Sequence, residues 1–355
     1  MRAYKYALNP TPAQARYLDG HCGAARKAFN WGLARVKAVM DQRAAEISYG
    51  IPDELLTPAI SWTMYSFRKA WNEAKAVAAP WWAEYSKEAY ASGLTQLATA
   101  LKNWRDSRSG KRTGQAVGFP RFKLKRKTIK SCRFTTGTIG CDDRYAVLPR
   151  IGRVRLHETP ASKLLDGTAR IMAATIRFER GRWFVSFTVE QNMHAQAPNR
   201  PEAVVGLDLG IKSLAIVAES GGALLTVPNP KHLEASLRKL GRLSRRVALR
   251  VGPDSRGDRV PSKRWKRANA QRNRVHYRVA YQRADALHKF TTAVAGEYGT
   301  VVVEDLNVVG MLKNRQLARR IGDAGFGEIR RQLRYKTEWN GGRLVVADRW
   351  FPSSK

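Results

Sequence analysis

Apolar and polar positions divide the chain into three blocks. The first opens on alternation: Tyr4, Tyr6 and Leu8 take one side of a predicted strand over residues 2–8, with Ala3 and Lys5 on the other. Asn9-Pro-Thr-Pro12 closes it; Thr11 offers a side-chain N-cap, and Pro12 suits the first helical position, where a missing N–H costs nothing. The period then becomes helical to about Met40, with Leu18, Cys22, Ala25, Phe29 and Leu33 on one face. Helical stretches over 60–75 and 81–105 follow, and the turn-rich basic segment 107–114 ends the block.

From Val117 to Gln191 the period drops to two. Strands are predicted over 131–136, 145–148, 154–157, 170–177 and 182–190, with Glu179-Arg-Gly-Arg182 as a hairpin turn. Short strands with turn signals predict a small β-barrel, its first strand being 2–8 and the helices an insertion between its first and second strands. The polar, two-proline stretch 192–201 marks a domain boundary.

The third block, 202–355, gives strands over 203–209, 214–218 and 223–226, then long helices over 231–250 and 262–298 that form an antiparallel hairpin around the 252–257 turn. A strand over 300–304, a helix over 325–339 and a strand over 341–347 complete it. Three strands, helix, strand, helix, strand is the order of an RNase H-like α/β fold, so the class is α+β with several domains.

Two acids end strands where packing gives no reason for them. Ala203-Val-Val-Gly-Leu-Asp208 is an apolar run that delivers a carboxylate and turns through Gly210, and Thr300-Val-Val-Val-Glu304 does the same far along the chain. Cleavage of a phosphodiester by two metals needs clustered carboxylates, and magnesium favours oxygen ligands while keeping several waters. Adjacent parallel strands would set Asp208 and Glu304 side by side, with Gly206 and Gly210 letting the backbone bend and the substrate approach. Singly, the ordinary alternatives are a turn cap for Asp208 and an arginine partner for Glu304. Asp305 falls on the opposite face or in the loop and reads as structural. For a third acid, Asp348 ends the last strand, whereas Asp323 is equally placed to cap the helix at Gly325.

Charge narrows the substrate. Among 355 residues, 64 Lys and Arg face 29 Asp and Glu, and this net +35 calls for a polyanion. An apolar share of 43% excludes a disordered basic tail. Ten tryptophans and twelve tyrosines are mostly core, with some left to stack on bases. Three cysteines without a C-x-x-C pair give no zinc site and fit a reducing cytoplasm. The start lacks a signal-peptide apolar region, and no run is long enough to span a bilayer, so no membrane role is expected.

Several words of the chain together resemble the TnpB family, the transposon-associated relatives of type V CRISPR nucleases. They are Gly206-Leu-Asp208-Leu-Gly210-Ile-Lys212, Val303-Glu304-Asp305-Leu306, Ile321-Gly-Asp-Ala-Gly325-Phe-Gly and Trp350-Phe-Pro-Ser-Ser354, and, upstream, Asn9-Pro-Thr-Pro-Ala-Gln14, Ala28-Phe-Asn-Trp31 and Val117-Gly-Phe-Pro-Arg-Phe122. The resemblance covers nearly the whole chain. It implies a wedge-like barrel (1–9 and 115–191), an inserted helical recognition lobe (10–114), a linker (192–201) and a RuvC-like nuclease domain (202–355) with a long helical hairpin insertion. It further implies an RNA-guided DNA endonuclease that takes a guide RNA, double-stranded target DNA beside a short flanking motif, and one or two Mg²⁺ ions. Asp208 and Glu304 match the family's first two catalytic, metal-holding acids. The family's third acid follows a zinc ribbon that would begin where this sequence stops at Lys355; the expectation is a continuation beyond it, the alternative a protein that lacks its third ligand and cuts poorly.

Nucleic-acid contact is expected at the cation-rich runs, through Lys123, Lys125, Arg126 and Lys127 and through Lys263, Arg264, Lys266, Arg267, Arg272 and Arg274. Trp62, Ser66, Lys87 and Thr135 align with positions that read the flanking motif in the family, while Ala91 stands where the family offers a long amide. The competing readings are an RNA-guided repressor that binds without cutting and a structural RNA-binding protein; a direct transposase finds no distinguishing feature.

Overall fold

The computed structural model describes residues 1–191, 197–254 and 259–348, and the chain divides into two compact units, Met1–Asn192 and Met193–Lys355. Residues 192–196 of the expected linker, part of the 252–257 turn and the 350–354 motif lie outside the described residues.

In the first unit β1 (Arg2–Asn9) runs into α1 (Pro12–Ser48). The Gln14 amide donates to the Thr11 hydroxyl at 3.3 Å, and the Thr11 amide donates to the Gln14 side chain at 3.0 Å, a reciprocal box that satisfies two otherwise orphaned donors. Leu18, Cys22, Ala25, Phe29 and Leu33 are buried as their spacing predicts. The helix outlasts its apolar stripe, which ends at Val36. Its last turns are held instead by Glu46, whose carboxylate receives the amide and hydroxyl of Thr57, and by Arg43, which donates to the Thr57 carbonyl. Next come α2 (Met64–Ala78) and α3 (Lys87–Arg108). The helix expected from Trp81 starts later because residues Trp82–Glu84 form a separate 3-10 turn and Ser86 caps α3.

The strands are β2 (Ser131–Phe134), β3 (Gly140–Cys141), β4 (Tyr145–Leu148), β5 (Gly152–Leu156), β6 (Ala169–Glu179) and β7 (Arg182–Gln191), with a one-turn α4 (Ser162–Leu165) before β6. The β6–β7 turn places Arg180 at φ 48° and Gly181 at φ 78°, the paired positive angles that match the twist of a tight hairpin. Among the described residues the order is β2-β6-β7-β1-β5-β4-β3, with every pairing antiparallel. This corrects the expected barrel: the sheet is open, since its edges are the two-residue β3 and the four-residue β2, which pair only with β4 and β6. One apolar core joins helices and sheet, with Phe29, Phe67, Leu94 and Leu97 against Phe134, Ile176 and Phe187. Each such burial is worth about 1.5–3 kcal/mol.

The second unit contains β8 (Arg200–Leu209), β9 (Ser213–Glu219), β10 (Leu224–Pro228), α5 (His232–Ala248), α6 (Lys263–Glu297), β11 (Tyr298–Glu304), α7 (Val308–Met311), α8 (Ala318–Ala324), α9 (Phe326–Trp339) and β12 (Arg343–Ala347). Its sheet runs β10-β9-β8-β11-β12, with β9 antiparallel to its neighbours and β8, β11 and β12 parallel. The element order is the one read from the sequence, with the short α7 and α8 added. One face of the sheet is covered: Val205, Leu207, Val301 and Val303 pack with Leu287 and Val294 of α6 and with Phe326, Ile329 and Leu333 of α9.

Two features fix the central strands. Glu219 receives both guanidinium nitrogens of Arg200, at 2.9 and 2.6 Å, and the Tyr298 hydroxyl at 2.6 Å, which ties the starts of β8 and β11 to the end of β9. Those bonds, Arg200 first, hold the Glu219 carboxyl down at about 2. Beside this clamp the β8–β11 register shifts: Tyr298 pairs with Arg200 but Thr300 with Val204, so β8 carries two extra residues. Gly299 makes room for them, because a Cβ there would lie 1.6 Å from the Pro201 carbonyl oxygen.

Candidate metal and nucleic-acid site

Asp208 and Glu304 each lie one residue beyond the Val303–Leu207 pair of the parallel β8–β11 ladder. Strand alternation puts both on the face opposite the helices, since Leu207 and Val303 point into the core. Both acids are exposed. Their surroundings on that face are part-exposed apolar side chains, Val204 at 38%, Ile216 at 40% and Val345 at 39%. Neighbouring strands lie about 4.8 Å apart, so one cation can reach both carboxylates. Among the described residues neither carboxylate has an ion-pair or hydrogen-bond partner. In a chain where cations outnumber acids by 64 to 29, two neighbouring acids without a described arginine or lysine partner leave their oxygens open to a cation. The donor set is all carboxylate oxygen and open to water, which fits a hard ion such as Mg²⁺. Among the described residues these two acids are joined by no third His, Cys, Asp or Glu in a metal-binding group.

The other acids have separate duties. Asp305 pairs with Arg330 at 2.5 Å. Asp348 follows Ala347, the partner of Glu304 on β12, and so stands one position out of phase with it. Asp323 is a cap, but not of the helix beside it: its carboxylate receives the Leu233 amide at the start of α5 at 2.8 Å and faces the Arg283 guanidinium at 3.4 Å. Neither Gly206 nor Gly210 adopts a positive φ, and a Cβ at Gly210 would stand 3.0 Å from the Ser213 carbonyl oxygen.

The basic candidates separate. On α6, Lys263, Arg264, Lys266, Arg267 and Arg274 are exposed, while Arg272 is half-buried and donates to Asn269 at 2.7 Å. Sequence reasoning passed over the matching surface of α5, where Arg238, Lys239, Arg242, Arg245 and Arg246 are all exposed and Leu240, Leu243 and Val247 are buried. The spacing of those residues was legible. In the first unit Lys125, Arg126 and Lys127 are exposed, but Lys123 is turned inward. Its backbone is clasped by the Asn30 side chain, at 3.0 and 2.8 Å, and its ammonium lies 3.9 Å from the centre of the Phe29 ring. Burial lowers it to about 8.

Of the flanking-motif candidates, Trp62 leans on Trp104 at 5.8 Å, Ser66 gives its amide to the capping Thr63 at 3.2 Å, and Lys87 is exposed at the start of α3. Thr135 donates both its amide, at 2.9 Å, and its hydroxyl, at 2.5 Å, to the buried Glu88 carboxylate. Burial works to raise Glu88, but these bonds prevail and hold it below its usual value. Thr135 is thereby left with acceptor capacity only.

Comparison with known proteins gives the family. A family described as a probable transposase, OrfB of IS605-type elements, matches residues 185–315, and its companion, described as a helix-turn-helix domain, matches residues 1–44. In the structure that second segment is β1 and the uninterrupted body of α1. Over 376 residues the chain is 39% identical to a putative RNA-guided DNA endonuclease of Mycobacterium tuberculosis, covering all of this chain and 78% of that protein. It is 34% identical to one of Streptomyces pristinaespiralis (all of this chain, 79% of that one), and 28% identical to InsQ of Escherichia coli K12 (all of this chain, 82% of that one), which carries the same description. A Cas12f1 chain, solved with single-guide RNA and target DNA, aligns with a TM-score of 0.49 at 10% identity over 98% of this chain and 89% of its own. The chain belongs to the TnpB family of transposon-encoded proteins. No described helix is long and apolar enough to cross a membrane.

Proposed function

We propose that this chain is the protein component of an RNA-guided DNA endonuclease, in which Asp208 and Glu304 hold Mg²⁺ against the strand to be cut. The observation that carries this reading is the pair of exposed carboxylates, adjacent on parallel strands and without a described cationic partner. The names of the relatives supply the RNA-guided part. When bound, the metal would make water a nucleophile at neutral pH and offset charge on the leaving oxygen. The chain's own part is to orient: the covered face of the sheet keeps β8 and β11 in register, and the carboxylates present their oxygens to solvent. The cations of α5 and α6 neutralise backbone phosphates of the RNA or of its duplex with the target.

In this reading 1–9 with 115–191 is the wedge, here an open sheet, 10–114 is the recognition lobe and 202–355 is the RuvC-like domain. Trp62, Ser66, Lys87 and Thr135 face the flanking DNA motif, with Thr135 reading a donor. The test is a supercoiled plasmid carrying the guide's target, given to protein purified with its RNA in Mg²⁺. Sequence-dependent cutting is expected; occupancy of the target without cutting would replace this reading with a guided repressor, and a lack of guided occupancy would leave an RNA-binding protein.

A further inference from the structure

In the second unit a cavity of about 340 Å³ opens beside the β8–β9 turn. Its volume is at the lower end of the range that holds small ligands. One wall is apolar, from Ile211, Leu233, Leu237 and Leu317, and Ile211 comes three residues after Asp208. The rest is cationic, with Lys231, Arg315, Arg319 and Arg320. Two acids also line the cavity and offset part of this charge, Glu234 that of Arg320. Asp323 is committed to the Leu233 amide and Arg283, and Glu234 faces Arg320 at 3.7 Å. Among the described residues the side chains of Lys231, Arg315 and Arg319 have no partner. The backbone of Lys231 is forced: it sits at φ 45°, ψ 46°, a left-handed conformation that costs a lysine about 1 kcal/mol or more. Asn229 fixes that turn, donating to the Ile211 carbonyl at 2.8 Å and accepting the Lys231 amide at 3.2 Å.

We infer that this cavity is a phosphodiester-binding pocket, which seats a backbone phosphate between Lys231, Arg315 and Arg319 with the sugar or base edge against Ile211 and Leu317. Ile211 on its wall is three residues from Asp208 in the chain, so a single strand seated here can run on toward the acid pair, and to that extent the assignment rests on the nuclease reading. Residues far apart in sequence, on the β8–β9 turn, the approach to α5 and the segment around α8, build one anion site.

Binding without catalysis tests it. Full chain with its RNA is titrated in EDTA with short labelled single strands, one DNA and one RNA of the same sequence, at several salt concentrations. Arg315→Gln/Arg319→Gln is compared with wild type and with Lys289→Gln/Lys313→Gln, which removes equal charge outside the cavity. The pocket variant is expected to bind at least ~10-fold more weakly, with a salt slope shallower by about 1.4, that is, two contacts at ~0.7 each. A response of the DNA strand identifies the pocket with the substrate, and a response of the RNA strand identifies it with the guide. If neither strand responds more than in the control variant, the pocket is overturned. In a separate reaction with Mg²⁺, cutting by Asp208→Ala at the wild-type rate would sink the nuclease reading while the pocket, read in EDTA, stands.

Discussion

Lys336 offers a test of how the floor beneath the acid-bearing strands is held. It lies on α9, 8% exposed, and its ammonium donates to the His288 carbonyl at 2.8 Å and to the Thr291 and Thr292 hydroxyls at 2.7 Å each. All three acceptors are neutral. Burial, with Arg331 as a lesser cause, outweighs them and lowers the lysine from 10.5 to about 8. A fall from 10.5 to about 8, at ~1.4 kcal/mol per pH unit, means a cost of roughly 3–4 kcal/mol while the group is charged. The unfolded chain binds the extra proton between about 8 and 10.5, so this group's contribution to stability rises with pH across that window and is flat below it. Lys336→Met keeps the volume and removes the charge, and the Thr291 hydroxyl keeps its own bond to the Leu287 carbonyl at 2.8 Å. Urea unfolding of wild type and variant near pH 7 and near pH 10 should therefore diverge by about 2–3 kcal/mol, with wild type gaining on the variant as pH rises. The comparison is differential because the buried thiols of Cys22 and Cys132, raised by burial, act in the opposite direction in both proteins. Parallel pH profiles would refute the reasoning.

Gly299→Ala should cost about 1–3 kcal/mol or more, because the new Cβ meets the Pro201 carbonyl oxygen at 1.6 Å and either β8 or β11 must move; thermal unfolding checks it, and an unchanged midpoint would mean that the β8 bulge relaxes freely. His21 is buried and takes the Ser86 amide on Nε2 at 3.2 Å while bonding the Tyr17 carbonyl through Nδ1 at 2.8 Å, a neutral tautomer whose protonation burial suppresses. Its folded-state value is lowered, so its contribution is complete above the usual histidine value of about 6.5 and is lost as pH falls through the folded one; His21→Gln should flatten that part of the acid-unfolding curve. Thr135→Val removes the hydroxyl that Glu88 accepts, and should cost about 1–3 kcal/mol of stability, read from the shift in urea midpoint.

Much of this fold was legible because local rules agree with the packing. The α1 stripe from Leu18 to Leu33 is all buried, Arg180-Gly181 makes the expected turn, and β-branched runs deliver Asp208 and Glu304 to neighbouring strand ends. What failed was decided across distance. Whether short strands close into a barrel depends on whether β2 meets β3, which no local pattern encodes. The last turns of α1 carry no buried apolar residue and exist through Glu46 and Arg43 reaching Thr57. Lys123 looked like its neighbours in a basic run, yet Asn30, far upstream, clasps its backbone and Phe29 covers its ammonium. Asp323 caps a helix that begins far before it in the chain. The cationic cavity draws on residues from Ile211 to Asp323, with no spacing that marks them as one site.

The central claim is that Asp208 and Glu304 act as one metal-holding pair, and the measurement closest to it is Mg²⁺-dependent cutting of guide-matched plasmid DNA by wild type, Asp208→Ala and Glu304→Ala at equal RNA content. The account predicts that either substitution alone abolishes cutting, by a factor of at least ~10³, while the RNA complex still occupies its target, and that the double variant is no worse than either single one. Cutting that survives in either single variant at the wild-type rate would contradict it.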